Sequence, residues 1–384
     1  ISLTLDAVIQ HFVEAELDAI VAAFNPVAAT IIVSEPTSGR ILALGNRPSF
    51  DPNHYHLAEP GDFRNRALTD IHEPGSVFKI IPVAATLAQG LVHPEDTFDC
   101  TLNYVTYQGR RYNLATDDHH IGEADVAKIL YKSSNSGAGQ LAIRLGRKGL
   151  YDASRAFGYR SRTGLFLTAE FEALDGWDGA TGEVRGQLAD PPDWDGLMIT
   201  RIPIGHAVSA TPMQVHRATG VIASGGLRVT PRLIDRVYDE DGDSVLDFPG
   251  PEPVRVLDAE TARLVTEMLE KVPTADGTAR RAAIEGYAPA GKTGTSWKVI
   301  DGRYHRDKHI GTFTGFLPAW DPQLLITVVV NEPRFKGTGY GGVVAAPAFR
   351  NIALKTIQHL GIEGAKPEPA ATLTYNNRDR RRGP

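Results

Sequence analysis

Apolar residues at Val8, Ile9, Phe12, Val13, Ala15, Leu17, Ile20 and Val21 recur close to a helical period and predict an amphipathic helix over residues 6–24. Two apolar runs, 28–33 and 41–44, bracket Pro36-Thr37-Ser38-Gly39 and predict a hairpin. Residues 76–89 are apolar nearly all round, as a buried helix is, and Pro82 within them predicts a kink because it removes one backbone hydrogen bond. Helical stretches at 124–130 and 137–145 flank Ser133-Ser134-Asn135, and a helix over 213–224 is closed by Gly225-Gly226. Residues 233–238 and 244–248 predict a second hairpin around Asp241-Gly242, and Asp258 is placed to cap a helix through Lys271. Residues 312–317 and 324–331 read as paired strands, the second strongly β-branched, and 347–360 as a terminal helix.

Strands at both ends with helices massed between them predict an α+β domain built on an antiparallel sheet. With no internal repeat or linker, residues 1–361 read as one large domain. Residues 362–384, rich in Pro, Ala and Arg and without apolar periodicity, read as a flexible basic tail. At 384 residues and 42% hydrophobic the chain can bury a large core. Its net charge of -6, with no Lys/Arg stripe in the body of the chain, gives no sign of a nucleic-acid partner. The single cysteine, Cys100, rules out an intrachain disulfide. No run reaches the roughly 20 apolar residues of a membrane span, and no signal-peptide pattern is present. The opening Ile1-Ser2-Leu3-Thr4-Leu5-Asp6 lacks an initiator Met, so the chain reads as a fragment whose anchor, if any, lies upstream.

Three short elements carry chemistry. In Glu73-Pro74-Gly75-Ser76-Val77-Phe78-Lys79 the Pro-Gly pair breaks the chain, and three-residue spacing puts Ser76 and Lys79 on one face. A serine hydroxyl needs a base within reach, and a lysine becomes one when burial and a nearby cation lower its pKa. Ser133-Ser134-Asn135 offers a hydroxyl for proton transfer and an amide for holding a substrate, although such clusters are usually caps and turns. Ala290-Gly291-Lys292-Thr293-Gly294-Thr295-Ser296 would present a cation and hydroxyls along a strand whose edge can pair with an extended peptide. Gly286 to Thr293 also spells a phosphate loop, but Pro289 removes an amide from the cradle and Gly294 is a poor helix start. His54, His56, His119 and His120 lack partners at metal-ligand spacing, Asp239 to Asp243 lacks a calcium-loop pattern, and Trp297 reads equally as a cleft wall or as packing.

Taken together and in order, S-x-x-K, Ser-x-Asn and K-T-G form the joint signature of penicillin-binding proteins and class A β-lactamases. The resemblance runs along almost the whole chain. Pro36-Thr37-Ser38-Gly39-Arg40, Ala210-Thr211-Pro212-Met213-Gln214, Gly277-Thr278-Ala279 and Tyr340-Gly341-Gly342 resemble landmarks of the class B penicillin-binding proteins, and residues 309–318 resemble the strand beside the K-T-G strand. Gly205-His206-Ala207 departs from the Gly-x-Gly that relatives often show. The resemblance implies a transpeptidase fold with about five antiparallel strands flanked by helices. It assigns Ser76 as nucleophile, Lys79 as its base, Ser133 and Lys292 as the proton network, and Asn135, Thr293, Gly294 and Thr295 as substrate-binding residues. The backbone N–H groups of Ser76 and Thr295 would form the oxyanion hole. It implies no cofactor and no metal. The partners it implies are stem peptides ending in D-Ala-D-Ala, β-lactams, and other wall-synthesis proteins through an upstream anchor and pedestal, all on the extracytoplasmic face of the membrane. A serine β-lactamase and a β-lactam sensor are the alternatives. The Glu-x-x-x-Asn pattern of class A lactamases is absent from the sequence.

Overall fold

The computed structural model describes residues 1–165 and 182–365. Its frame consists of α1 (Ala7–Phe24), β1 (Ala28–Ser34), β2 (Ile41–Arg47), α2 (Ile80–Ala88), α3 (Val126–Tyr131), α4 (Asn135–Ala156), α5 (Pro212–Ala223), α6 (Ala259–Glu270), β3 (Ala290–Ile300), β4 (Arg303–Leu317), β5 (Leu324–Asn331) and α7 (Ala346–Leu360). The five strands form one antiparallel sheet in the order β3-β4-β5-β1-β2. The pairing of β5 with β1, with Val328 opposite Ile31, joins the two ends of the sequence. All seven residues of β1 and seven of the eight in β5 are buried, which is why both runs read as nearly unbroken apolar stretches.

Helices cover both faces. The Asp6 carboxylate accepts from the Val8 and Ile9 N–H groups and starts α1, which buries Ile9, Val13, Leu17 and Ile20. That helix packs with α7 on one face, where the Phe313 and Phe349 rings meet edge to face at 4.8 Å. On the other face α5 is fully buried, and its His216 Nδ1 lies 2.9 Å from Thr327 Oγ1 of β5. Residues Ile234–Tyr238 and Ser244–Asp247 form the expected second hairpin, extended by Ser2–Leu3 into a small separate sheet.

Three expectations change. Residues 76–89 are not one kinked helix: Gly75–Lys79 is a 3₁₀ turn, and α2 begins at Ile80. Pro82 therefore falls in the first turn of α2, where a backbone N–H has no partner within the helix and its loss is free. The helix expected over 137–145 runs on to Ala156, interrupted at Gly146 (φ 72°), the residue at which the periodicity fades. The body also extends beyond residue 361: Ile362 is buried, its carbonyl accepts from Tyr287 O–H at 3.2 Å, and Ala365 N–H donates to the Gly286 carbonyl at 2.8 Å. The rest of the expected tail lies outside the described residues.

Candidate active site

The site begins where three backbones touch. Gly75 (φ 58°) turns the chain into the 3₁₀ segment, and a Cβ there would lie 2.6 Å from the Thr295 carbonyl oxygen. Its N–H donates to the Gly205 carbonyl at 3.2 Å, and a Cβ on Gly205 would come within 2.0 Å of the Gly75 oxygen. Glycine at 75 lets the 74–76 segment lie against β3, and glycine at 205 lets its turn lie against that segment. At three residues per turn, a 3₁₀ segment stacks Ser76 directly over Lys79. Ser76 is half-buried, and its hydroxyl makes no hydrogen bond to the described residues.

Lys79 and Lys292 are both fully buried, and they converge on one hydroxyl. Each donates from Nζ to Ser133 Oγ at 3.1 Å. Lys79 also donates to the Ser133 carbonyl and, at 2.7 Å, to Asn135 Oδ1. Lys292 reaches the Thr293 carbonyl at 3.2 Å. Ser133 sits in the left-handed region at φ 63°, which aims its hydroxyl between the two amines. Burial lowers the Lys79 pKa to about 7, against an opposing pull from Asp117 and Asp118. Lys292 is held well below the usual lysine range by burial and then by the neighbouring Lys79. Two amines that cannot both stay charged, joined through a hydroxyl, can pass a proton at neutral pH.

K-T-G lies on β3, an edge strand of the sheet, with Lys292 opposite Thr314 of β4. This confirms residues 309–318 as the neighbouring strand. It also removes the phosphate-loop spelling, because Lys292 is mid-strand and not before a helix. Thr293 Oγ1 pairs with Thr278 Oγ1 at 2.8 Å, and Thr295 Oγ1 accepts from Gly341 N–H at 3.2 Å. Thr295 thus keeps its hydroxyl hydrogen for an anion. A Cβ on Gly294 would lie 2.7 Å from the Pro74 oxygen, so this glycine permits the contact between β3 and the 74–76 segment. The landmarks Gly277-Thr278-Ala279 and Tyr340-Gly341-Gly342 are therefore site-building residues.

Several contributors escaped the sequence reading. Asp117 accepts from Ser134 Oγ at 2.7 Å and from Asn135 N–H, while the Thr116 carbonyl takes Asn135 Nδ2 at 2.9 Å. Asn135 is thereby fixed at both ends of its amide, with one Nδ2 hydrogen left for a substrate carbonyl. Only an acidic pair before His119-His120 marked this loop. Replacing Asp117 by alanine leaves the hydroxyl hydrogen of buried Ser134 and the Asn135 N–H without this acceptor, so chemical denaturation should show a loss of roughly 1–3 kcal/mol. Acylation by a β-lactam should slow in the same variant as Asn135 loses its anchor.

Glu73 Oε1 accepts from Ala207 N–H at 2.8 Å and from Tyr304 O–H at 2.9 Å, and burial raises its pKa. The Ala207 contact answers what the departure from Gly-x-Gly does. Ala207 adopts φ 57°, the conformation a glycine would favour, and Glu73 holds it there. His206 beside it sits 5.9 Å from the Tyr304 ring and 6.5 Å from Trp297, its pKa lowered to about 4 by burial, then by Arg201 and Lys79. Trp297 thus belongs to an aromatic cluster at the site's rim, with Arg306 stacked 5.1 Å above it. Away from the site, His54 does have a carboxylate partner, exposed Asp51 at 2.7 Å, in a local turn.

The comparisons with known proteins agree with this geometry. The family described as penicillin binding protein transpeptidase domain matches residues 29–354. The probable peptidoglycan D,D-transpeptidase PenA of Neisseria flavescens is 34% identical over 367 residues, covering 95% of this chain and 84% of the relative. The peptidoglycan D,D-transpeptidase FtsI of Escherichia coli is 31% identical, covering 94% of this chain and 57% of that protein. Stage V sporulation protein D of Bacillus subtilis is 32% identical, and this chain spans 56% of its length. Among solved structures, penicillin-binding protein 3 of Mycobacterium tuberculosis complexed with ampicillin superposes with a TM-score of 0.84 at 30% identity, over 96% of this chain and 80% of that one. With a family match over most of its length and relatives above 30% identity, this chain belongs to the penicillin-binding protein transpeptidase family.

Proposed function

We propose that this chain is the catalytic part of a peptidoglycan D,D-transpeptidase that works through an acyl-enzyme on Ser76. The observation that carries the reading is the Ser133 hydroxyl held between two buried lysines, one of them a single 3₁₀ turn beyond Ser76. Lys79, neutral in about half of the molecules near pH 7, takes the Ser76 proton as Oγ attacks the carbonyl carbon of the penultimate D-Ala. The carbonyl electrons move to oxygen, where the Ser76 and Thr295 N–H groups hold the oxyanion; loss of one such donor typically costs about 3 kcal/mol. Collapse breaks the peptide bond, and the departing D-Ala nitrogen takes a proton through Ser133, which the lysines restore. An acceptor amine then attacks the ester, gives up its proton along the same route, and releases Ser76. Asn135 Nδ2 would hold the substrate amide, while Thr295 Oγ1, Thr293 and Gly294 receive the terminal carboxylate along the open edge of β3.

β-Lactams acylate Ser76 by the same attack, and the ring-opened product blocks the second step. The substrate places the reaction on the extracytoplasmic face of the membrane. No helix among the described residues is long and apolar enough to cross one. The test is turnover of a synthetic stem pentapeptide ending in D-Ala-D-Ala with an amine acceptor, followed by mass spectrometry. Release of D-Ala with a cross-linked product supports the reading. Stable penicillin capture without any release of D-Ala would make the chain a drug sensor instead.

A further inference from the structure

β3 and β4 run on past the rest of the sheet. The last pair between β4 and β5 is Ile310 with Asn331, whereas β3 and β4 stay paired out to Ile300 and Arg303. Residues 306–308 bulge out between these two stretches, so residues 298–305 form a two-stranded arm. A hairpin without a third strand has little stability of its own, and its direction depends on what ties it down. Among the described residues two carboxylates bond to it from outside. Glu332, just past β5, takes Lys298 Nζ at 2.8 Å at the base of the arm. Glu73 takes the Tyr304 O–H at 2.9 Å near its tip. Glu73 also stands three positions before Ser76, in the segment that packs against β3. That packing is close, but among the described residues no backbone hydrogen bond joins residues 74–76 to β3. The Ser76 and Thr295 N–H groups, the two donors proposed for the oxyanion, therefore belong to backbones that touch without such a bond. The contact between Glu73 and Tyr304 is a direct hydrogen-bonded link between the segment of the first donor and the hairpin of the second.

We propose that Glu73 is a positioning residue for the acylation of Ser76: through Tyr304 it latches the β3–β4 hairpin to the nucleophile segment and so fixes the spacing of the two oxyanion donors. The inference rests on the Ser76 reading above. The same Oε1 accepts from Ala207 N–H at 2.8 Å, and the Gly205 carbonyl of that turn accepts from Gly75 N–H at 3.2 Å. One carboxylate thus gathers three segments around the nucleophile. Burial and then the Glu73 charge raise the Tyr304 pKa, so the phenol keeps the proton it donates. The His206 ring, 5.9 Å from the Tyr304 ring and 6.5 Å from Trp297, packs the turn against the arm. Oxyanion donors work only where they meet the developing charge, and a misplacement of about 1 Å can cost about a hundredfold in rate. Glu73 acts through Tyr304 and Ala207, and its contribution is the geometry of the groups that meet the substrate.

The test is the second-order rate constant for acylation by benzylpenicillin, followed by intact-protein mass spectrometry in the parent chain and in variants. Glu73→Ala removes the shared acceptor and should slow acylation by about tenfold to a hundredfold. Glu73→Gln keeps an oxygen that accepts from both donors and should stay within about threefold of the parent. Tyr304→Phe breaks only the latch and should slow acylation about three- to tenfold. Added to Glu73→Ala, Tyr304→Phe should cost nothing more, because its acceptor is already gone. Tyr304 is 48% exposed, so that variant carries the test if Glu73→Ala does not fold. Tyr304→Phe at the parent rate overturns the proposal. So does a Glu73→Gln rate as low as that of Glu73→Ala, which would make the charge the requirement. Losses that multiply in the double variant overturn it as well, because the two side chains would then act separately. A parent chain that benzylpenicillin does not acylate overturns the Ser76 reading and the latch with it, whereas an acylated parent with unaffected variants overturns the latch alone.

Discussion

Ser76→Ala should abolish covalent capture of benzylpenicillin: intact-protein mass spectrometry over hours shows one drug mass added to the parent chain and none to the variant. Deleting a serine nucleophile lowers turnover roughly a millionfold, so the loss should be complete on this timescale. The variant should remain folded. Ser76 is half-buried and its hydroxyl has no partner among the described residues, so removing it leaves no orphaned donor or acceptor. Three other outcomes are informative. An adduct that disappears while the drug is hydrolysed would indicate a β-lactamase. A stable adduct on Ser76→Ala would move the nucleophile to another residue, and no adduct on either chain would sink the assignment.

The second large effect concerns Lys79 and pH. Its pKa of about 7 means that the neutral amine, the form able to accept the Ser76 proton, becomes the majority species as pH rises through neutrality. The second-order acylation rate should climb across this range and level off above it. Lys79→Met should cut the plateau by about 10² to 10⁴, the usual contribution of a positioned base. Lys79→Arg should not restore it, because a guanidinium keeps its proton at any pH at which the protein stays folded. Stability follows with a definite sign. The folded pKa lies below the ordinary 10.5, so between about 7 and 10.5 the unfolded chain binds more protons at this position than the folded one. The Lys79 contribution therefore makes the protein more stable as pH rises through that window, while below it the full cost of burying the charge remains. Lys79→Met has no such proton to lose, so its denaturation midpoint should be higher at neutral pH and flatter with pH. Equal pH dependence in both proteins would mean that Lys79 is charged throughout and that Lys292 is the base.

The main parts of the site were legible because they depend on local spacing. Lys79 follows Ser76 by three positions, and a 3₁₀ turn needs nothing else to put them on one edge. The order of S-x-x-K, Ser-x-Asn and K-T-G identified the family through resemblance. The hydrophobic pattern marked four of the five sheet strands and most of the helices, because burying one face imposes a period of two or of 3.6 on any chain, while β3 was expected only from the K-T-G element. The boundaries at Gly75, Gly146 and Ile362 were missed for the converse reason. A 3₁₀ start, a break in the middle of a helix and a docked terminus leave little periodic trace.

What the tertiary structure alone decided is which distant segments meet. Lys79 and Ser133 are 54 residues apart in sequence, and Lys292 and Ser133 are 159 apart. The closure of β5 onto β1 sets the sheet on which those meetings occur, and no local pattern encodes it. Asp117 and Glu73 are ordinary acidic residues in sequence. One becomes the clamp on Asn135 because of the loop opposite, and the other holds Ala207 in a glycine-like conformation because the 205–207 turn lies beside it. The shifted lysines show the same division. A lysine's identity is local, but its pKa is set by how much water the rest of the fold removes from around it. The sequence named the candidate groups; the fold, by desolvating Lys79 and Lys292 and bringing them to one hydroxyl, set their electrostatics.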